Sequence, residues 1–104
     1  MGAPASEIRK LLREGIRDFS GELRNYTSPG HVGVADTLLL FPNGRIIFCE
    51  IKAANDTEKS PQQRERARMT QLGFEACVVY GILGAEMLLD RLRFNLRCEG
   101  EINA

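Results

Sequence analysis

Three charged residues, Asp36, Glu50 and Lys52, stand within two apolar stretches that a short turn joins. The segment 33–52 reads GVADTLLLFPNGRIIFCEIK, and most of its other residues are aliphatic or aromatic, which is typical of buried β-strands. Burying a charge is costly unless something compensates it. Carboxylates in such a place can hold a divalent cation, and a lysine can stabilise negative charge that develops during a reaction.

The turn between the two stretches decides which faces of the strands carry these charges. Residues 42–44 read Pro-Asn-Gly, in which the proline and asparagine suit the two central positions of a type I turn and the glycine suits the left-handed position after it. This three-residue loop sets Asp36 opposite Glu50, with Lys52 two residues further along the same face. A two-residue Asn-Gly loop would instead set Asp36 opposite Ile51, on the other face.

Two facing carboxylates with Cβ atoms about 5 Å apart repel each other on an apolar sheet unless one is protonated or a cation lies between them. A hard divalent ion suits this position, because Mg²⁺ is typically held by one or two carboxylates together with water and phosphate oxygens. The alternative is that Asp36 and Glu50 lie at strand ends in solvent and pair with nearby arginines, with Lys52 also solvated.

The order of these residues is similar to a known nuclease pattern. An Asp that is followed, at the end of the next strand, by Glu-x-Lys resembles the PD-(D/E)XK nuclease superfamily, and the wider sequence resembles its small stand-alone VRR-NUC (virus-type replication-repair nuclease) branch. The resemblance is carried by GVADTLLL (33–40), FCEIKA (48–53), KSPQQ (59–63) and GFEACVVY (73–80). Ala35 departs from the superfamily pattern, which has Pro at this position.

The resemblance implies a site for Mg²⁺ or Mn²⁺ that is held by Asp36, Glu50 and the backbone carbonyl of Ile51. The metal would polarise the scissile phosphate and lower the pKa of a bound water. Lys52 would then stabilise charge in the transition state and orient the attacking water.

Two further site residues follow from the resemblance alone. The family uses an acidic residue on the first helix near the metal, and Glu7 matches this position better than Glu14, although surface pairing with neighbouring basic residues is the alternative for both. The family also points the glutamine of an S-x-x-Q sequence into the site, which implies Gln63. Gln62 takes this role if the helix begins one residue off.

The implied activity is metal-dependent hydrolysis of phosphodiester bonds in DNA. Small relatives in this branch resemble Holliday junction resolvases and act as homodimers, so we expect an endonuclease that recognises branched or double-stranded DNA by shape. A general or flap-directed endonuclease is the alternative among enzymes, and a catalytically silent DNA-binding or assembly module is the alternative outside them. The interface of a homodimer is expected on the last helix, although its apolar residues could instead cover the sheet within one subunit: Met87, Leu88, Leu92 and Phe94.

Apolar periodicity and turn signals predict an α/β sandwich, with a central mixed sheet of about four strands flanked by helices. The family resemblance implies that this sandwich is restriction-endonuclease-like. We expect one domain over residues 1–104, with about the last six residues frayed. The predicted order is a helix over 5–19, a short strand within 21–27, hairpin strands near 34–41 and 45–52, a helix over 61–72, a strand over 76–80 and a helix over 85–96.

Composition agrees with this interpretation. At 104 residues the chain is long enough for one core. Its fourteen basic residues balance its fourteen acidic residues, so any contact with DNA must come from a local basic surface. Three cysteines without a C-x-x-C pair fit a reducing cytoplasm, and no apolar run is long enough to span a membrane. We therefore expect a cytoplasmic protein, and the resemblance to the small VRR-NUC type of phages and bacteria implies a bacterial or phage-infected cell.

Arginines cluster on the first two helices, where about half are expected to pair within their own helix and the rest to contact phosphates. His31, the single histidine, is expected to be a loop residue rather than a ligand or base. The clusters comprise Arg9, Arg13 and Arg17 on the first helix, and Arg64, Arg66 and Arg68 on the second.

Overall fold

A computed structural model describes residues 2–27, 30, 33 and 35–102, and His31 lies outside them. Within these residues the helices and strands follow the predicted order, with one added strand at the end. The elements are α1 (Ala5–Gly15), β1 (Glu22–Asn25), β2 (Thr37–Leu40), β3 (Ile46–Lys52), α2 (Ser60–Gln71), β4 (Glu75–Tyr80), α3 (Gly81–Arg93) and β5 (Gly100–Ile102).

The strands form one mixed sheet in the order β1-β2-β3-β4-β5. The pairs β1–β2 and β2–β3 are antiparallel, whereas β3–β4 and β4–β5 are parallel. Helices cover both faces, which confirms the predicted α/β class. Five strands are present rather than about four.

The extra strand corrects the expectation that the last six residues are frayed, because residues 100–102 pair with β4 and Ile102 is 1% exposed. The segment before β5 is held by Glu75, which accepts a hydrogen bond from Cys98 N at 3.0 Å. Glu75 also pairs with Arg45 at 2.7 Å, and Arg45 donates to the carbonyl of Leu96 at 2.9 Å. The buried Glu75 thus fixes the C-terminal segment from inside the sheet.

The predicted register of the β2–β3 hairpin is confirmed, since Leu40 pairs with Ile46 and Leu38 pairs with Phe48. Gly44 has the expected left-handed conformation, with φ 78°. The turn differs from type I because Asn43 is also left-handed, with φ 66° and ψ 20°. Asparagine tolerates this region better than most residues, so the loop keeps its three-residue length with a different backbone path.

The two faces of the sheet are packed differently. Helices α1 and α3 cover the face that carries alternate residues of β3. The core on this face includes Ile8 and Leu12 of α1 with Ile16 directly after it, Ile47, Cys49 and Ile51 of β3, and Ala85, Leu88 and Leu92 of α3. On the opposite face α2 lies over Phe48 and Glu50, and none of its residues is fully buried. The active-site candidates are therefore on the more loosely covered face.

The interface expected on the last helix needs correction. Leu88 is 0% exposed and Leu92 is 6% exposed, and both pack into the core of their own subunit. Helical spacing put them on one apolar face, but that face covers the sheet, which was the alternative considered. Phe94, at 72% exposed, is free for other contacts.

Cys49, Cys77 and Cys98 are buried and form no disulfide. Among the described residues, none of the helices has both the length and the apolar character needed to cross a membrane.

Candidate active site

The candidate site lies where β2 begins and β3 ends. Asp36 directly precedes β2, and continuing the register by one residue beyond the Thr37–Cys49 pair places it opposite Glu50. Lys52 ends β3 on the same face as Glu50. The hairpin thus brings together the three charged residues that the sequence singled out.

Glu50 is 8% exposed, and its pKa is raised from 4.5 to about 7. Burial is the largest cause, because it disfavours the charged form, and the negative charge of Asp36 adds to it. The positive charges of Lys52 and Arg9 act in the opposite direction but only in part. The pair of carboxylates is therefore short of positive charge.

The first helix contributes a cation to this pair. Arg9 lies on α1, which packs on the other face of the sheet, and its guanidinium contacts Asp36 and Thr37 at the start of β2. One Nη atom is 3.1 Å from Asp36 Oδ2, and the other donates to the buried Thr37 hydroxyl at 2.7 Å. The Thr37 hydroxyl in turn donates to Asp36 Oδ1 at 2.9 Å. These contacts fix the orientation of the Asp36 carboxylate.

Glu7 and Glu14, the two α1 residues considered for the metal, are both exposed. Arg9 is the α1 residue that makes a direct contact with Asp36. The sequence pattern placed Arg9 in a basic stripe of the helix, paired within it or free for phosphate. Its partner lies instead on another element, which no helical spacing could indicate.

A glutamine of α2 contacts Glu50, and it is Gln62, whereas Gln63 is exposed. Gln62 Oε1 accepts a hydrogen bond from the backbone N–H of Lys59 at 2.9 Å, in the manner of a capping box. This bond directs the amide nitrogen away from the helix, where it donates to Glu50 Oε1 at 3.1 Å. The start of α2 therefore decides which glutamine reaches the site.

A close backbone approach brings the loop before β2 against this helix start. Gly33 has φ 85°, and a Cβ at this position would be only 2.4 Å from the carbonyl oxygen of Pro61. A larger residue would push the loop and α2 apart. Gly33 thus keeps the segment that leads to Asp36 close to the helix that carries Gln62.

The backbone carbonyl of Ile51 is also directed toward this region. Backbone groups of successive strand residues point to alternate sides, and Phe41 N donates to Arg45 O at 2.9 Å. Ile51 lies an even number of residues after Arg45, so its backbone N–H and C=O point to the same side of β3. On that side they face the segment just before Thr37, where β2 begins. Its carbonyl is thus placed on the side of β3 where Asp36 lies.

A second buried carboxylate near the site escaped the sequence interpretation. Glu58, in the loop before α2, has a side chain that is 1% exposed and pairs with Arg66 at 2.7 Å. Its charge contributes to the raised pKa of Glu50. The spacing of eight residues between Glu58 and Arg66 spans a loop and two helical turns, so neither the i,i+3 nor the i,i+4 pattern could reveal the pair.

A divalent metal fits the chemistry of this donor set. Among the residues that the structure describes, no three His, Cys, Asp or Glu side chains come together as a metal site on their own. Two carboxylates and a backbone carbonyl nevertheless suffice for a hard cation that completes its shell with water and phosphate oxygens. The raised pKa of Glu50 beside Asp36 is the observation that favours this, because a cation would replace the missing positive charge.

Comparisons with known proteins find relatives that are named as nucleases or VRR_NUC domains, although no protein-family model matches the chain. "Putative nuclease p44" of Acyrthosiphon pisum secondary endosymbiont phage 1 is 40% identical over 72 residues, which are 69% of this chain and 77% of that protein. A solved structure named "VRR_NUC domain" is 26% identical with a TM-score of 0.75, over 83% of this chain and 94% of that one. Another, named "VRR_NUC domain protein", shares the fold at 15% identity with a TM-score of 0.64, over 89% of this chain and 88% of that one. The chain therefore belongs to the VRR-NUC family of nucleases.

Proposed function

We propose that this protein is a metal-dependent DNA endonuclease that hydrolyses phosphodiester bonds at the site formed by Asp36, Glu50 and Lys52. The observation that carries the proposal is the pair of facing carboxylates with a lysine on the same face, in a fold of the VRR-NUC family. One of these carboxylates has a pKa of about 7. Such perturbed groups are characteristic of functional sites.

Each residue of the site would have its own role in hydrolysis. Asp36, Glu50 and the Ile51 carbonyl would hold Mg²⁺ or Mn²⁺, which supplies Lewis-acid polarisation of the phosphate and an activated water. Lys52 would stabilise the negative charge that develops on the phosphoryl oxygens. The hydrogen bond from Gln62 would orient the Glu50 carboxylate.

Two residues implied by the family pattern remain part of the proposal, but with less direct roles at the site. Gln63 is exposed and would act on DNA rather than on the Glu50 strand, because Gln62 already contacts Glu50. Glu7, also exposed, would act through water rather than as a direct ligand.

The preferred substrate is proposed to be branched DNA, such as a Holliday junction, that two copies of the chain cut symmetrically. A homodimer with two-fold symmetry presents one site to each of two strands. With Leu88 and Leu92 buried, exposed apolar residues around the end of α3 are the better candidates for its interface, namely Phe94 and Leu96 at 72% and 50% exposed. Sedimentation of wild type and a Phe94→Ser, Leu96→Ser double variant tests this interface. If the double variant is still a dimer, the interface lies elsewhere on the protein.

The proposed activity is tested by incubating pure protein with four-way junction, flap, nicked and linear DNA in Mg²⁺ or Mn²⁺. We expect cleavage that EDTA abolishes and that is fastest on the junction. Lys52→Ala should lose it, and Lys10→Ala, an exposed lysine of α1, should retain it. Faster cleavage of flaps than of junctions would favour the flap-directed alternative, and equal cleavage of all four DNAs would favour a general endonuclease.

One observation favours a second candidate, a nuclease-like module that binds DNA without cutting it. Arg9 already neutralises part of the charge on Asp36, so part of the carboxylate charge is compensated without a metal. Binding of junction DNA without cleavage in either metal would support this module and contradict the endonuclease. The expected location for either activity is the cytoplasm of a bacterial or phage-infected cell.

A further inference from the structure

A cavity of about 280 Å³ lies between the sheet and α2, directly beside the candidate active site. Its apolar wall includes Tyr26, which directly follows β1, Phe48 from β3 and Met69 from α2. The rings of Tyr26 and Phe48 are 6.2 Å apart and stand at 76° to each other. Because none of the residues of α2 is fully buried, the helix covers this space without filling it.

The cavity and the candidate active site share two residues. Glu50 and Gln62, which are joined by a hydrogen bond of 3.1 Å, line the cavity and belong to the site. A group in the cavity is therefore only one side chain away from a phosphate whose hydrolysis Asp36, Glu50 and Lys52 would catalyse. In a nucleic acid, the group nearest to a phosphate besides the sugar is the nucleobase on either side.

We propose that the cavity binds an unpaired nucleobase next to the scissile phosphate. This inference rests on the proposed nuclease function and deepens it by naming the substrate class. The volume is just below the roughly 300–1,000 Å³ of pockets for drug-sized ligands, so it suits one planar ring system. Aromatic side chains are the common platform for unstacked bases, because every base has a face that can stack.

The polar part of the cavity can meet the edge of a base. Arg66 lines it and donates through Nε and one Nη atom to the buried Glu58. A guanidinium has five N–H donors, so others remain for base oxygens or ring nitrogens. The ion pair with Glu58 holds this guanidinium in place, and a group that is fixed before binding loses little freedom when a ligand arrives.

A base within a duplex cannot enter such a cavity, because pairing and stacking hold it in the helix. Enzymes that bind a base in a pocket act on single-stranded DNA or flip the base out, and the cost is lowest where the base is already unpaired. The cavity would therefore favour cleavage beside a flap, a bulge or the open centre of a junction over cleavage of continuous duplex.

An abasic substrate tests the inference without altering the protein. Flap DNA is prepared with the unpaired nucleotide next to the mapped cleavage position either intact or lacking its base. We expect the abasic substrate to raise KM about tenfold, because it lacks the base that would stack on the aromatic wall of the cavity. Equal KM values for the two substrates would overturn the proposal.

A matched pair of variants locates the base in the cavity. Ala76 lines the cavity and is 3% exposed, so Ala76→Leu should fill the space, whereas Ala67→Leu makes the same change on the exposed side of α2. With 2-aminopurine at the flanking position and Ca²⁺ in place of Mg²⁺, wild type and Ala67→Leu should quench its fluorescence about twofold by stacking. A folded Ala76→Leu protein that quenches as wild type does would contradict the assignment.

The two hypotheses fail in different ways. If wild type cuts no DNA in Mg²⁺ or Mn²⁺, the nuclease proposal fails and the nucleobase inference with it. If wild type cuts DNA but treats intact and abasic substrates alike, the nuclease proposal stands and only the nucleobase inference fails.

Discussion

Replacing Glu50 by glutamine should stabilise the metal-free protein at pH 8. The Glu50 carboxylate is buried beside Asp36, and its pKa is about 7 rather than 4.5. Glutamine has nearly the same shape, carries no charge and keeps an oxygen that can accept the hydrogen bond from Gln62. The substitution therefore removes the charge while leaving the packing in place.

The size and sign of the effect follow from the pKa. The folded protein keeps the proton on Glu50 up to about pH 7, whereas a glutamate in the unfolded chain loses it near 4.5. Between these values the folded state binds more protons, so the free energy of unfolding falls as the pH rises. The difference between pKa values of 4.5 and about 7 corresponds to a destabilisation of the folded wild type by about 3 kcal/mol. This destabilisation is complete above pH 7 and absent below pH 4.5.

Thermal melting of wild type and Glu50→Gln in EDTA, at intervals from pH 4.5 to 8, measures this directly. The two melting temperatures should be close at pH 4.5 and should separate by about 10 °C or more above pH 7, with the variant higher. Glu86→Gln, which removes an exposed carboxylate of α3, serves as the control and should follow wild type. Mg²⁺ at pH 8 should then raise the melting temperature of wild type but not that of Glu50→Gln.

A melting difference that stays constant from pH 5 to 8 would refute this account of Glu50. It would mean that the carboxylate is ionised in the folded protein over the whole range, and that Arg9 and Lys52 already compensate it.

Four other substitutions test the site and the hairpin that positions it. Arg9→Met should destabilise the protein by only about 1 kcal/mol, because the lost ion pair with Asp36 is partly exposed. It should also extend the pH-dependent loss of stability to higher pH, because the charge of Arg9 lowers the pKa of Glu50; the same melting series measures both effects. Gln62→Ala should slow cleavage more than Gln63→Ala does, and the reverse order would show that Gln63 is the glutamine that serves the site. Gly44→Val should cost about 1–2 kcal/mol in urea unfolding, since φ is 78° and the space around a Cβ is open, so that only backbone strain is added; an unchanged midpoint would contradict it.

The parts of the fold that depend on local chemistry could be predicted from the sequence. The Pro-Asn-Gly turn set the register of the hairpin, and that register placed Asp36 opposite Glu50. The prediction survived a different turn conformation at Asn43, because the register depends on the number of loop residues rather than on their φ values.

The contacts that depend on tertiary packing could not be predicted. Arg9 of α1 contacts Asp36 over a separation of 27 residues. Strand β5 follows an irregular segment that is anchored by Glu75, a residue of β4. In the sequence of β5, the only apolar residue is Ile102, which is buried, so no alternating pattern could predict this strand. The choice of Gln62 over Gln63 depends on where α2 begins, and boundaries are the least certain part of a pattern-based prediction.

The measurement that most directly tests the central claim is a calorimetric titration of Mn²⁺ into wild type and Asp36→Asn at pH 8, with DNA cleavage assayed on the same preparations. We predict that wild type binds Mn²⁺ and cuts DNA, and that Asp36→Asn remains folded, binds the metal at least tenfold more weakly and does not cut. Unchanged Mn²⁺ affinity in Asp36→Asn, or cleavage by this variant at the wild-type rate, would contradict the claim that Asp36 and Glu50 form the metal site of a nuclease.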